Sequence, residues 1–375
     1  MTKDTENSAK PFRVLCIDGG GMRGIYTAAF LNDLQNRYAQ KRGLGEHGLD
    51  IGKAFDLIVG TSTGGIIGLG LAAGISASKM LELYVRYGRR IFPKKVPSGL
   101  LATVPQLRTR SRHIAAGDAA LEKALEGIFG STTLGDLYEQ RKIALAIPAV
   151  EMSQHHAWIF KSRHLPKSVG RDDDYRLVDI CKATSAAPIF RSLAAIDNPN
   201  NEGHRVFADG GLYANSPVMV GLIDALKIAN EDQKLELYGL GTCKRPAGQR
   251  IEKHKVHRGL IDWGFGGKAA ELSIDAQDEI SWQMARMLSP HFKQTIQLVQ
   301  FPRGEATAET MSYLDLDDTR PEAATALIDQ ALADANTTLS ICADPNDSNG
   351  RLLNRLLSDM PQSTGPISMD MKEFR

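Results

Sequence analysis

Charge imbalance, paired cysteines and a leader-like apolar start are all missing from this 375-residue chain. Lys and Arg total 45 against 44 Asp and Glu, a net charge of +1. No global field therefore draws the chain to nucleic acid polymers or to anionic membranes. Cysteine is scarce. Cys16, Cys181, Cys243 and Cys342 lie far apart and form no C-x-x-C pair, a pattern that reads as reduced thiols in a cytoplasmic setting. The stretch from Met1 to Lys10 is polar and lacks the apolar core of a signal peptide. One long run without charge, Leu57 to Ser78, approaches the length of a membrane span, but it holds six glycines and several hydroxyl residues. A buried strand followed by a buried helix explains it better. No internal repeat is visible. With 42% hydrophobic residues the chain can bury one large α/β core and an extension.

What is abundant is glycine, in three segments that matter. The first is Gly60-Thr-Ser-Thr-Gly64, after the apolar run Phe55–Val59 and before a helix-compatible run. A strand, a sharp turn and a helix put Ser62 at the apex of a nucleophile elbow, with the helix N-terminus aimed at the same point. That geometry points to acyl transfer; the plain alternative is a glycine-rich βα loop with an incidental serine. The second segment, Asp18-Gly-Gly-Gly-Met-Arg-Gly24, follows the buried strand Phe12–Ile17. Its amides suit a phosphate or the oxyanion of a tetrahedral intermediate. Gly19-x-Gly21-x-x-Gly24 also fits a dinucleotide fingerprint, which requires an acidic residue at the end of the next strand about 20 residues on. There the chain is still in a helix and a Gly-rich connection, and the next strand ends in the elbow, which favours the oxyanion reading. The third is Val206-Phe-Ala-Asp209-Gly-Gly211, followed by Asn215-Ser216-Pro217. Asp209 ends a strand, where it can accept a proton from Ser62. Asp-Gly-Gly is by itself an ordinary turn. Asn215 or Ser216 is expected to cap a helix with Pro217 in its first turn.

Coarse patterning alternates strands with helices. Strands are expected at Phe12–Ile17, Phe55–Val59, Lys142–Val150, Ala157–Lys161, His204–Ala208 and Glu236–Leu240. Helices are expected near Ile25–Gln40, Gly64–Ala73, Ser78–Ile91, Asp118–Phe129, Leu177–Ser185 and Pro217–Asn230. This predicts an α/β fold of three layers, a mostly parallel sheet flanked by helices, with ligands at the carboxyl ends of the strands. A core over 11–243 is expected to carry a helical extension over 244–375, with helices in Arg258–Leu288, Ala323–Ala335 and Arg351–Met360.

Other features read more plainly. His155-His156 and His254-x-x-His257 lack further ligands at metal spacing, and Asp172-Asp173-Asp174 reads as a solvated turn, so neither a metal nor another cofactor is called for. The basic stretch Lys94–Arg112 is either a lid meeting anionic groups or a solvated loop. Arg23, set among free amides, binds a phosphate headgroup, shapes the oxyanion hole or lies on a helix surface.

Taken together, the three glycine segments and Ala183-Thr-Ser-Ala-Ala-Pro188 resemble the patatin-like phospholipase family over roughly Arg13 to Thr242, and Leu314-Asp-Leu-Asp-Asp318 looks like a late feature of that family. The resemblance implies Ser62 as nucleophile and Asp209 as base of a Ser-Asp dyad. It also implies an oxyanion hole from Gly19, Gly20 and Gly21 with Thr63, leaving His155 no required part. The implied substrate is a membrane phospholipid, attacked from the cytoplasm at the inner membrane surface. Bacterial relatives with such an extension resemble anti-phage effectors switched on by a cyclic oligonucleotide, and such a partner, with a homo-oligomer among the options, is the expectation here. An unregulated esterase or thioesterase and a nucleotide-binding module without chemistry are the competing readings.

Overall fold

A computed structural model describes residues 10–44, 48–96, 109–199, 201–246, 250–259, 261–263 and 266–367. The chain opens with β1 (Phe12–Ile17), α1 (Gly24–Lys41), β2 (Leu57–Gly60), α2 (Thr63–Ala72) and α3 (Ala77–Ile91). Next come α4 (Arg110–Phe129), α5 (Leu134–Arg141), β3 (Ala144–Glu151), β4 (His156–Lys161), α6 (Leu177–Thr184), β5 (Ala194–Asp197) and β6 (His204–Asp209). Then follow α7 (Gly211–Ala214), α8 (Val218–Ile228), β7 (Leu235–Leu240), α9 (Gly267–Leu288), β8 (Ile296–Phe301), α10 (Pro321–Ala343) and α11 (Ser348–Asp359).

The strands form one sheet in the order β5-β6-β3-β2-β1-β7-β8, with β4 also paired to β3. From β3 to β8 the strands run parallel. β4, β6 and β5 pair antiparallel, so the sheet is mixed, with its parallel strands running from β3 to the β8 edge. In β1, Leu15 and Ile17 enter one apolar cluster with Ile25, Phe30 and Leu34, while Val14 and Cys16 enter the other with Val218, Leu222 and Leu237. Burial on both faces is why this strand reads as a continuous apolar run. The uncharged run Leu57 to Ser78 becomes β2 and α2, both fully buried. Among the described residues no helix is long and apolar enough to cross a membrane.

Several expectations are corrected. No strand was expected after Leu240, yet β8 pairs with β7 in register Leu235↔Ile296 through Leu240↔Phe301. α10 in turn packs along α1, where Tyr26 Oη donates to Asp334 Oδ2 at 2.5 Å. The residues after 243 thus complete the core. α5 was not expected, although the Thr133/Asp136 capping box that opens it is written in the sequence. β5 is a four-residue strand at the sheet's end, and its alternating burial over so short a length gives little signal. α8 begins at Val218 with Pro217 as its cap and no capping side chain, so neither Asn215 nor Ser216 caps it. Asp172 is not solvated. It is 1% exposed, accepts the Lys161 N–H at 2.9 Å and pairs with Arg171 at 2.7 Å, tying the loop to β4.

Candidate active site

β2 ends at Gly60 and α2 starts at Thr63, leaving Ser62 between them at φ 55° and ψ −124°. A non-glycine residue at positive φ costs about 1–3 kcal/mol, which the buried strand and helix on either side impose. The close packing of this turn demands glycine at 64. A Cβ there would lie 2.3 Å from the Ile17 carbonyl oxygen and 2.7 Å from that of Asp18. Gly64→Ala is therefore expected to destabilise the fold by about 1–3 kcal/mol through overpacking, read as a lower midpoint in denaturant. An unshifted midpoint would contradict this packing.

The elbow delivers the serine to a carboxylate 147 residues away: Ser62 Oγ donates to Asp209 Oδ2 at 2.7 Å. Asp209 is the last residue of β6, opposite Ala149 of β3. Its second oxygen, Oδ1, accepts the Gly211 N–H at 2.7 Å. Burial of this carboxyl, 5% exposed, pushes its pKa up from 3.8 to about 6, against the smaller pull of the Gly211 and Ser62 donors and of the Arg191 charge. A carboxyl so shifted is a stronger base than a solvated aspartate, and it is still ionised at neutral pH. Thr184 positions the turn from beneath, accepting the Ser62 N–H at 2.9 Å while donating to Pro148 O at 2.6 Å. Thr61 Oγ1 donates to Ala214 O at 2.6 Å, joining the elbow to the segment after Asp209.

The loop after β1 faces the same point. Gly21 sits at φ 56°, and a Cβ there would lie 2.3 Å from Leu316 O, which accepts the Met22 N–H at 2.9 Å. The Leu314–Asp318 segment thereby braces the loop. Thr63 Oγ1 donates to Gly21 O at 2.7 Å and holds the loop against α2. The expected oxyanion group is narrowed at this point. The Gly19 N–H donates to Asn215 O at 3.0 Å and is not free. Among the described residues the N–H groups of Gly20, Gly21 and Thr63 have no partner, and all three residues line the cavity that holds Ser62 and Asp209. Free amides at a helix start can receive a negatively charged oxygen.

That cavity has a volume of about 310 Å³ and a mostly apolar wall, including Ile66, Tyr84, Phe92, Leu121, Ile189 and Leu316. α9 closes one side with Ala270, Ser273, Ile274 and Gln277. Trp282 of α9 is buried against Gly239 of β7, and Asp278 accepts Asn215 Nδ2 at 3.1 Å. Beneath the loop, Asp18 is held well above the usual carboxylate range by burial and by the charge of Asp278. Burial likewise raises Asp278.

Arg23 is not on this wall. It is 6% exposed, its Nε lies 3.4 Å from Gly20 O, and it lines a separate small cleft with Arg245, Glu271 and Asp275. Its charge opposes the upward shifts of Asp18 and Asp278, so it serves the loop's underside. His155 and His156 are exposed at the β3–β4 turn, away from the cavity lining. Residues 97–108 of the basic Lys94–Arg112 stretch lie outside the described residues. At its ends Lys95 pairs with Asp315 at 2.5 Å, and Arg110 donates to Ile189 O at 3.0 Å. Thr184, Asn215, Arg191 and the α9 residues were not expected at the site. Of these, Thr184 carried a sequence signal inside Ala183–Pro188, and Asn215 was marked only as a helix cap.

A family model described as Patatin-like phospholipase matches residues 15–222. The chain is 35% identical over 281 residues to a protein of Pseudomonas aeruginosa named cGAMP-activated phospholipase, covering 73% of this chain and 74% of that one. A protein of Vibrio cholerae with the same name is 35% identical over 289 residues, with 73% and 77% covered. A protein of Escherichia coli named cUMP-AMP-activated phospholipase is 27% identical over 281 residues, with 72% and 76% covered.

Proposed function

Because this chain belongs to the patatin-like phospholipase family, hydrolases of carboxylic esters, we propose that it is a phospholipid acyl hydrolase working through a Ser62–Asp209 dyad under the control of a cyclic oligonucleotide. The observation that carries the reading is the 2.7 Å hydrogen bond from Ser62 Oγ to a buried carboxylate, beside unpartnered amides, in an apolar cavity.

The steps follow from these positions. Asp209 Oδ2 takes the Ser62 proton as Oγ attacks the ester carbonyl. The Gly20 and Gly21 amides, with that of Thr63, receive the oxyanion, each such donor being worth about 3–4 kcal/mol. Asp209 returns the proton to the departing lysophospholipid oxygen and leaves an acyl group on Ser62. Water, deprotonated by the same carboxylate, then releases the fatty acid. The apolar wall suits an acyl chain, and no step needs a metal. The substrate is reached at the inner face of the cell's membrane.

Two relatives are named for activation by cGAMP and one for activation by cUMP-AMP, which supports a cyclic dinucleotide as the controlling ligand. Uncontrolled hydrolysis of the cell's own lipids is toxic, so an off state fits a defence effector. α9 is the element suited to transmit control, since it forms one wall of the cavity and comes from the region after 243. Release of fatty acid from phosphatidylethanolamine/phosphatidylglycerol vesicles is expected to be near background for the protein alone. It is expected to rise at least about 100-fold with the activating nucleotide, the shift that a strongly state-selective ligand produces. Full hydrolysis without nucleotide would leave an unregulated esterase. Nucleotide binding with no ester hydrolysis under any condition would leave a binding module.

A further inference from the structure

Arg191 is the one cation among the described residues that line the Ser62 cavity. It follows the segment Ala183–Pro188 and is placed by the loop between α6 and β5. Its side chain is 5% exposed, a costly setting for a charge unless it is fully paired. The pairing is thin. One terminal nitrogen meets Asp118 Oδ1 at 3.2 Å, and Asp118 is shared with Lys182, also at 3.2 Å. The guanidinium carbon lies 5.8 Å from the centre of the Phe92 ring. Among the described residues, Nε has no hydrogen-bond partner. Asp209, the other charged group of the lining, is engaged by Ser62 and Gly211. Within an apolar wall, then, stands a guanidinium with one weak anionic contact and one unused donor.

Resting on the acyl-hydrolase reading, we propose that Arg191 is the phosphate-recognition residue of this cavity, binding the phosphodiester of a glycerophospholipid whose ester lies at Ser62. The chemistry fits the group. A phosphodiester carries a single negative charge on two oxygens, and a planar guanidinium meets two such oxygens with parallel N–H donors. Lys182 has Glu122 as a second partner at 2.9 Å, while Asp118, on α4, holds the Arg191 fork through one terminal nitrogen and leaves Nε without a partner. The same cation lies close enough to Asp209 to lower its pKa slightly, so phosphate binding and the proton acceptor share one field. Arg191 thereby separates phospholipids from neutral esters. A neutral ester reaches Ser62 but leaves the buried cation without an added partner, whereas a phospholipid supplies it.

The test compares two monomeric substrates of equal acyl length, dihexanoylphosphatidylcholine and p-nitrophenyl hexanoate, with wild type, Arg191→Gln and Arg191→Lys, each with saturating cGAMP and with saturating cUMP-AMP. The measured quantity is the ratio of kcat/KM for the phospholipid to kcat/KM for the neutral ester. Arg191→Gln is expected to lower that ratio at least about 10-fold, mainly through KM for the phospholipid. Arg191→Lys, which keeps the charge and loses the fork, is expected to fall between. Glycerophosphocholine, which has the phosphodiester but no ester, is expected to inhibit neutral-ester hydrolysis competitively in wild type and about 10-fold less well in Arg191→Gln. A structural or Asp209-tuning role lowers both substrates together and leaves the ratio unchanged, which overturns the proposal. If Arg191→Gln does not fold, the ratio and the inhibition in Arg191→Lys decide, and wild-type values there overturn it. Hydrolysis of neither substrate by wild type would instead sink the acyl-hydrolase reading, and this proposal with it.

Discussion

Ser62→Ala is expected to lose phospholipid hydrolysis by at least about 10⁴-fold, the scale on which removal of an activated nucleophile acts. Two effects combine. The attacking oxygen is gone, and Asp209 loses a donor that lowers its pKa, so the carboxyl moves further up and is protonated nearer to neutral pH. The fold should survive. Ser62 is 8% exposed at the turn, its N–H bond to Thr184 persists, and alanine is no more strained than serine at φ 55°. The midpoint of thermal unfolding should stay within a few degrees, and calorimetry should find the activating nucleotide bound as tightly as in wild type. A fluorophosphonate should add to Ser62 of the wild type and leave the variant unmodified, as read by mass spectrometry of the digested protein. Retained turnover in the variant, or labelling of another serine, removes Ser62 from its role.

Asp209→Asn carries the second large effect, a fall in kcat of at least about 10³-fold with the side chain's size kept. The wild-type pH profile should show the same group. With its carboxyl pushed up to about 6, kcat/KM should rise through that pH and level above 7, because in the proposed dyad the ionised form is the proton acceptor. Stability runs the other way. A carboxyl whose folded pKa lies above its ordinary 3.8 favours folding most below 3.8, and that contribution is lost as pH rises through about 6. The ionised form thus costs the fold on the order of 3 kcal/mol at pH 8, a shift of about two pKa units. The difference in unfolding midpoint, Asp209→Asn minus wild type, should therefore grow from pH 4 to pH 7. A difference constant with pH would deny the burial that sets this base. Turnover that survives in Asp209→Asn and is lost in His155→Ala or His156→Ala would replace the dyad by a histidine mechanism, against the exposed positions of both rings.

The chain's own residues determined the parts whose cause is local. β1 and β2 were legible because strands buried on both faces are apolar throughout, and the elbow because a serine between glycines after such a strand admits few backbones. Asp209 was legible as the end of a strand before two glycines. What tertiary structure alone decided is how these local pieces meet and which groups remain free. Gly19 and Gly20 are neighbours in one loop, yet one amide is consumed by Asn215 O and the other is open, a distinction made by a residue 196 positions away. Arg23 stands in sequence among free amides, but packing turns it toward the small cleft under the loop that it shares with Arg245, Glu271 and Asp275. Arg191 and the α9 wall carry no local pattern, because an arginine or an amphipathic helix reads alike on a surface or in a cavity. Extension of the sheet by β8, with Trp282 and Asp278 seating α9, brings the region after 243 onto the serine. Backbone conformation at the elbow follows from neighbours along the chain; burial, pairing and the pKa of its base follow from neighbours in space.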